Sequence, residues 1–419
     1  MSIETYKIDS KGKLAGLAAV AVIFLFGSIF AAKWGFAYTA ASNADLPEIA
    51  DLMTVLGPDD PQTHFSAAVL FEKTFVPEDQ ERSLSEYEKT AALSPNNYLV
   101  WLELGKARER SGDQNGAESA LRKSLELAPQ YSKVQWTLGN ALLRDGKTDE
   151  AFAEIRKAVA GDESYTNSAA GTAWQIFDGD MAAVRRAIGD STRLNAAIAT
   201  LLAGQKRYDE SFDIWNSLPN SEKKASLKDL GEALYKQMIE GRKFRYALAI
   251  ASEIGMYEPA AANLLSNSGF EKALKTQNTD IFEWSIQDGN SPRIGQTSGQ
   301  KHSGDYSLLI SFLNGGRDFR AVSQTVALEP GRIYSLELFY RSDIKTDAVF
   351  KWEISDTADG KVIAASPPLA KTAEWTGMEA KFTVPENSDA VVVKLVRENC
   401  EAAICSVTGN LWFDDFVIR

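Results

Sequence analysis

The chain has 419 residues, more than one hydrophobic core ordinarily holds, so we expect two or three domains. Its 44% hydrophobic and 24% charged residues are typical of globular proteins and argue against wholesale disorder. The net charge of -12 argues against a nucleic-acid partner, because phosphate backbones are bound by clustered Lys and Arg.

The first feature along the chain is an uncharged apolar run from Leu14 to Ala32. As a helix it would span about 28 Å, close to the hydrocarbon thickness of a bilayer. Three lysines precede the run and acidic residues follow it, which predicts a cytoplasmic N-terminus. We therefore expect a cytoplasmic tail (1–13), a single-pass helix in the inner (cytoplasmic) membrane (14–32) and an exported, periplasmic remainder. The alternative is a signal peptide cleaved near Ser42-Asn43-Ala44, but the apolar run is longer than such peptides usually carry.

After a predicted linker (33–60), the chain repeats itself with a period of 34 residues. A fixed period of this length is typical of solenoids built from helix pairs, and it predicts an α-solenoid over 61–258. The alternative is a simple helical bundle with accidental periodicity. Small residues recur where helices would approach closely, and glycines recur where the turn between helices would be left-handed. The recurring pairs are Leu104-Gly105 with Leu138-Gly139, Gly112 with Gly146, and Ala117 with Ala151.

The unit from Trp101 to Pro129 resembles the tetratricopeptide repeat family. It carries the Trp, Leu-Gly, Gly, Ala, Leu and Pro of that family at the family's spacing. The resemblance weakens over His64 to Asn97, where Phe71 stands in place of a glycine. It implies a scaffold that binds other proteins, here proteins of the cell envelope.

From about Asn263 the hydrophobic period changes to two. Phe350, Trp352 and Ile354 would form one apolar strand face, and turn signals such as Pro330-Gly331 separate the runs. Many short strands at this spacing predict an antiparallel β-sandwich over 263–419, so the fold class is multidomain α plus β. The predicted strands are Tyr306–Phe312, Arg332–Arg341, Ala348–Ser355, Glu379–Val384, Ala390–Arg397 and Leu411–Ile418.

The β-block resembles the galactose-binding-like jelly rolls, a group rich in carbohydrate-binding modules. The segments that carry the resemblance occur in the family's order and include LLSNSGFE (264–271), HSGDYSLLISF (302–312), VALEPGRIYSLELFYRS (326–342) and GNLWFDDF (409–416). The resemblance implies the fold and, less specifically, a polysaccharide ligand, since such folds host many functions.

A sugar site would stack an aromatic ring on a pyranose and place polar groups beside it. The aromatic candidates are Trp284, Tyr340, Trp352 and Trp375, and the polar candidates are Arg320 and Arg341. The alternative is that most of these rings belong to the core.

The same resemblance implies a structural calcium ion near the first and last strands, and no other cofactor. Glu271 and Asp415 are the matching carboxylates, with Ser303 and Asp305 in a nearby loop. The alternative is that these carboxylates are solvated or bound by hydrogen bonds.

The chain has only two cysteines, Cys400 and Cys405. In an oxidising compartment they would close a small loop as a disulfide, and the alternative is a pair of buried thiols.

No catalytic motif is present, which predicts a protein that is not an enzyme. The two histidines, His64 and His302, stand outside any recognisable acid–base constellation. The adjacent acids Asp414 and Asp415 would point to opposite strand faces and could not flank one glycosidic bond. We expect a scaffold for exopolysaccharide or cell-surface assembly. The alternative is a purely protein–protein scaffold that binds no sugar.

Overall fold

The computed structural model describes residues 10–43, 47–257, 264–275, 277–313, 319–398 and 406–419. The chain divides into two compact units, Met1–Asp190 and Ser191–Arg419. The division falls inside the stretch predicted as one solenoid (61–258). The last helices of that stretch therefore share a compact unit with the β-domain.

The first unit is helical. Helix α1 is long and apolar enough to span a membrane, by length and composition. It continues beyond Ala32, and near its end Ala41 joins an apolar cluster with Met53 of α2 and Leu70 of α3. The predicted linker thus contains helical structure. The elements are α1 (Lys11–Asn43), α2 (Ala50–Leu56), α3 (Pro61–Glu72), α4 (Pro77–Leu93), α5 (Tyr98–Arg110), α6 (Gln114–Leu127), α7 (Ser132–Arg144), α8 (Thr148–Gly161), α9 (Thr166–Ile176) and α10 (Met181–Ile188), with 3-10 turns at Pro47–Ile49 and Glu163–Tyr165.

The small residues of the repeat lie where helices approach most closely. A Cβ atom added at Gly105 would come within 2.6 Å of the Leu121 side chain and 3.3 Å of the Ala117 carbonyl oxygen. Gly112 joins α5 to α6 with a left-handed φ of 85°. Consecutive helices in this region pack as antiparallel pairs, which confirms the predicted helical-repeat architecture.

The second unit begins with five helices and continues into strands. The turn after α5 has a left-handed glycine, Gly112. The turns after α11 and α14 instead have Lys206 (φ 63°) and Arg242 (φ 57°) in the left-handed conformation. Gly241, next to Arg242, lets the backbone at the end of α14 lie close to the Tyr208 ring of α12, because a Cβ atom at Gly241 would lie 2.4 Å from that ring. The helices are α11 (Thr192–Gly204), α12 (Tyr208–Asn216), α13 (Asn220–Lys224), α14 (Lys228–Glu240) and α15 (Phe244–Glu253).

Two antiparallel sheets form the sandwich, with strand orders β1-β4-β9-β6-β7 and β2-β3-β10-β5-β8. The predicted strand at Ala390–Arg397 coincides with β9, whereas β1, β2, β4 and β7 were not predicted. The core lies between the sheets. The strands are β1 (Ser285–Ile286), β2 (Arg293–Thr297), β3 (Ser307–Phe312), β4 (Val322–Ala327), β5 (Ile333–Ser342), β6 (Phe350–Asp356), β7 (Val362–Ala365), β8 (Thr372–Thr383), β9 (Ala390–Arg397) and β10 (Gly409–Ile418).

The helices of the second unit share an apolar cluster with the sandwich. Trp215, Leu234 and Phe244 of the helices belong to one cluster with Phe282 and Ala390 of the β-domain. Burying these side chains against each other removes apolar surface from water, so the two parts stabilise one another.

Polar contacts reinforce this cluster. The Asp389 carboxylate, in the β8–β9 loop, accepts hydrogen bonds from the backbone N–H groups of Phe244 and Arg245, both at 3.3 Å. Helix α15 has no side-chain cap of its own at Lys243, so a sandwich residue caps its N-terminus. The Tyr235 hydroxyl of α14 donates to the Asp280 carboxylate at 2.7 Å.

We expect fragment 191–419 to be markedly more stable than fragment 263–419. The shorter fragment exposes Phe282 and leaves Asp389 and Asp280 without their helix partners. We expect its melting temperature to be lower by about 6 °C or more, which at this size corresponds to roughly 2 kcal/mol or more. Calorimetry of both fragments tests this, with Tyr235→Phe in the longer fragment as a single-bond control. Equal melting temperatures would contradict the shared core.

Candidate functional site

Three of the rings predicted for a sugar site lie in the core. Trp352 has no exposed surface, and Trp284 and Tyr340 are only 2% and 5% exposed. The Trp352 ring packs edge-on against Phe413 at 5.3 Å, and Trp284 packs against Phe416 at 5.0 Å. A ring enclosed between two sheets has no free face for a pyranose. The alternative assignment of these three residues to the core is therefore the better one.

Arg320 has a structural role. Its Nε donates to the Gln287 carbonyl at 2.7 Å and its Nη1 to the Pro292 carbonyl at 3.3 Å. The guanidinium thus braces the loop between β1 and β2. Its role as a polar partner for a sugar stays a prediction.

The outward face of the β2-β3-β10-β5-β8 sheet carries the one remaining aromatic candidate, Trp375, together with rings that were not predicted. Along β5, Leu338 and Tyr340 are buried while Phe339 and Arg341 are half-buried, so the latter two face outward. Trp412 of β10 lies directly opposite Arg341 in the register.

The predicted residue Trp375 lies on β8, on the other side of β5, and it is also half-buried. The His302 ring stacks on Phe339 with centroids 3.7 Å apart, and the centroids of the His302 and Trp375 rings lie 5.8 Å apart at an interplanar angle of 62°. We name Phe339, Arg341, Trp375 and Trp412, together with His302, the aromatic face.

Arg341 lies at the centre of the aromatic face. Its guanidinium carbon is 5.5 Å from the centroid of the Trp412 ring, and its Nη1 donates to the Gln300 side-chain oxygen. Because one strand separates β8 from β10, the backbones that carry Trp375 and Trp412 lie about 10 Å apart. The Trp412 ring therefore lies beside the Arg341 cation, and Trp375 lies on β8, the strand on the other side of β5.

Sequence reasoning missed Trp412 and Phe339. The signal was present, because Trp412 alternates with the buried Leu411 and Phe413. The candidate rings were chosen by residue type, whereas the phase of the alternation decides which ring faces solvent.

Two adjacent carboxylates of β10 bind the loop before β3. Asp414 is fully buried and accepts hydrogen bonds from the backbone N–H groups of His302 (2.8 Å), Ser303 (3.2 Å) and Asp415 (2.8 Å). Asp415 accepts hydrogen bonds at 2.6 Å from His302 Nδ1 and the Ser303 hydroxyl. The expectation that these acids point to opposite faces is wrong, because the β10–β5 register shifts between Asp414 and Val417 and Asp415 has a φ of 50°.

The residues predicted for calcium come together only in part. Glu271 accepts the N–H of Asp305 with both oxygens, at 3.0 and 3.1 Å, and the N–H of Tyr306 at 3.2 Å. The Asp305 carboxylate is 85% exposed and lies 3.6 Å from Lys301 Nζ. Within the described parts of the chain, no three His, Cys, Asp or Glu residues are grouped to hold a metal ion. These carboxylates accept hydrogen bonds from N–H and O–H donors, and calcium stays a prediction from resemblance.

Two further predictions concern residues away from this face. His64 is buried, with Nδ1 2.5 Å from Glu86 and Nε2 2.8 Å from the Pro58 carbonyl oxygen, which is consistent with a structural role. Cys400 and Cys405 lie outside the described residues, so the disulfide stays a prediction.

Among the carboxylates that bind this loop, Asp414 should contribute most to the free energy of unfolding. We expect Asp414→Ala to lower the free energy of unfolding by about 2–4 kcal/mol, because three backbone N–H groups lose their acceptor. Burial raises the pKa of Asp414, so the folded state binds its proton more readily than the unfolded chain does. The stability of the native protein relative to Asp414→Asn should therefore rise as the pH falls through the raised pKa toward the unfolded value. Urea unfolding at pH 7.5 and 4.5 measures this difference, and a pH-independent difference would contradict it.

Comparisons with known proteins agree with the two architectures. A family model described as a carbohydrate binding domain matches residues 262–399, and one described as a tetratricopeptide repeat matches residues 98–131. No curated protein matches the chain.

Several solved structures are similar at low identity. "Structure of TmCBM61 in complex with beta-1,4-galactotriose" is 17% identical, with 38% of this chain and 99% of that chain covered and a TM-score of 0.28. The CBM22-1 xylan-binding domain of Paenibacillus barcinonensis Xyn10C is 16% identical, with 38% and 96% covered and a TM-score of 0.27. MamA is 17% identical, with 38% and 98% covered and a TM-score of 0.29. At these scores the structural likeness supports no argument about function. The family matches confirm both resemblances: the helical part carries a tetratricopeptide-like repeat, and the C-terminal sandwich is similar to carbohydrate-binding domains.

Proposed function

We propose that the protein is a non-catalytic scaffold of the bacterial cell envelope that binds protein through its helical repeats and glycan through the aromatic face. The observation that carries the glycan half is the pair of outward indoles, Trp375 and Trp412, on a sandwich similar to carbohydrate-binding domains. Both matched domains are of non-catalytic kinds. Binding, rather than bond cleavage, is the activity that these features support.

The chemistry of the aromatic face suits a sugar. Pyranose rings present C–H faces that pack on indole, and polar groups beside the rings bind the hydroxyls. Trp375 and Trp412 can each contact a different sugar of one chain. Arg341 and Gln300 supply hydrogen-bonding groups between and beside them.

The helical unit offers a separate surface for protein. A groove of ≈ 480 Å³ lies between α3 and α5, with Phe65 and Val69 on one side and Leu99 on the other. Glu72, which is paired with Arg110 at 2.8 Å, forms part of its wall. An apolar floor with a polar wall is typical of peptide-binding surfaces, and the tetratricopeptide match supports this role.

We place the scaffold in the inner membrane, with α1 as an uncleaved anchor and the rest of the chain in the periplasm. The anchor would raise the local concentration of partners at the membrane surface. A link to exopolysaccharide or cell-surface assembly follows from combining a membrane anchor, a protein-binding part and a glycan-binding part in one chain.

We expect Trp375→Ala and Trp412→Ala each to weaken glycan binding by about tenfold or more, since each substitution removes one stacking surface. The measurement is binding of the full chain in nanodiscs to a glycan array, followed by titration of the best ligand. Tyr131→Ala, an exposed ring in the helical unit, is the matched control and should change nothing. Absence of binding to any glycan would favour the purely protein–protein scaffold.

The topology has its own test. Alkaline phosphatase fused after Gly57 should be active, because the positive flank of α1 stays in the cytoplasm and the enzyme needs export. Phosphatase fused before residue 1 should be inactive. An inactive fusion after Gly57 would remove the envelope role, and a shortened chain in membrane fractions would indicate cleavage of the anchor.

A further inference from the structure

We propose that the aromatic face recognises a carboxylated glycan, and that Arg341 binds its carboxylate. This inference rests on the proposed glycan-binding function and specifies its ligand class. It follows from a cation that lies beside the Trp412 indole and has no acidic partner among the described residues.

The charge of Arg341 is not compensated by a neighbouring acid. Within the described residues it forms no ion pair, and its contacts are the Trp412 ring and the neutral Gln300 side chain. Other arginines of the same sandwich are paired with acids, Arg332 with Glu329 at 2.9 Å and Arg419 with Glu337 at 2.6 Å.

Three acids close to Arg341 along β5 and β10 are already bound. Asp343 accepts hydrogen bonds from the backbone and the side chain of Asn410. Asp415 is bound to His302 and Ser303, and Asp414 is enclosed by N–H groups. The site is therefore electrostatically open to an anion from outside the protein.

The geometry of Arg341 suits a carboxylate. A guanidinium carries five N–H donors in a planar fork that matches the two oxygens of a carboxylate. One nitrogen is used by Gln300, and the guanidinium carbon lies 5.5 Å from the centroid of the Trp412 ring. A sugar that covers the two indoles would exclude water from the ion pair, and the attraction strengthens as the local dielectric constant falls.

A second cation lies on the same sheet face. Arg293 of β2 is exposed, pairs in the register with Ser311, and forms no ion pair within the described part of the chain. Three strand spacings separate β2 from β5, which is about 15 Å. A Cβ atom added at Gly295, which lies on β2 two residues after Arg293, would meet nothing within 4 Å, so the face is open there. This spacing allows one extended polyanionic chain to contact both arginines.

The test compares acidic glycans with their own carboxyl-reduced forms, which keep the linkages and lose the charge. The probes are oligosaccharides of polygalacturonate, alginate and hyaluronate, titrated against the full chain in nanodiscs. We expect at least one acidic probe to bind about tenfold or more tightly than its reduced form, and to weaken as salt rises from 50 to 500 mM. Arg341→Gln should abolish the preference and keep binding of the reduced form, while Arg341→Lys should keep part of the preference.

Arg332→Gln, which removes an exposed, paired arginine from the same sandwich, is the matched control and should leave the preference intact. A melting temperature of Arg341→Gln close to that of the native protein shows that the sandwich stays folded. Equal binding of acidic and reduced probes, or a preference that survives Arg341→Gln, would overturn the inference while glycan binding stands. Absence of binding to every probe and to neutral galactan and xylan would overturn the proposed function as well.

Discussion

The close packing of aromatic rings between the two sheets is the constraint on which the candidate site depends. Trp284, Trp352 and Phe416 fill the interior of the sandwich, so inward positions on the neighbouring strands must be large and apolar. Tyr340 and Phe413 occupy such positions on β5 and β10. The side chains that alternate with them are therefore held outward on a rigid surface, and that surface is the aromatic face.

The second unit shows how a β-sandwich can be stabilised from outside its own core. Helix α15 receives its N-terminal cap from Asp389, and Arg242 of the α14–α15 turn donates to the carbonyl oxygens of Thr357 and Ala358. These contacts lie near the β6–β7 and β8–β9 turns. The helices therefore stabilise the sandwich. None of these helix contacts involves Arg341 or Trp412 of the aromatic face.

The charged side chains of the β2-β3-β10-β5-β8 sheet have two different roles. Asp414 and Asp415 hold the β3 loop against β10 through N–H and O–H donors, which is a structural use of negative charge. Arg341 presents the opposite case, a positive charge whose contacts among the described residues are an aromatic ring and an amide. Two acids of this sheet thus bind the loop before β3, whereas Arg341 is left without an acidic partner among the described residues.

The sequence by itself determined the features that depend on local patterns. The 34-residue period predicted the helix pairs, because small residues such as Gly105 and Ala117 recur where two helices approach closely, and the strand-like run Ala390–Arg397 predicted β9. The tertiary structure alone decided which aromatic rings are buried and which face outward. Trp352 and Trp412 are both tryptophans on strands whose side chains alternate between buried and outward positions. Which position each ring takes depends on the pairing of its strand with strands distant in the chain. The bulge at Asp415, which turns two neighbouring acids to one loop, and the helix cap from Asp389 likewise arise from long-range packing that no local period encodes.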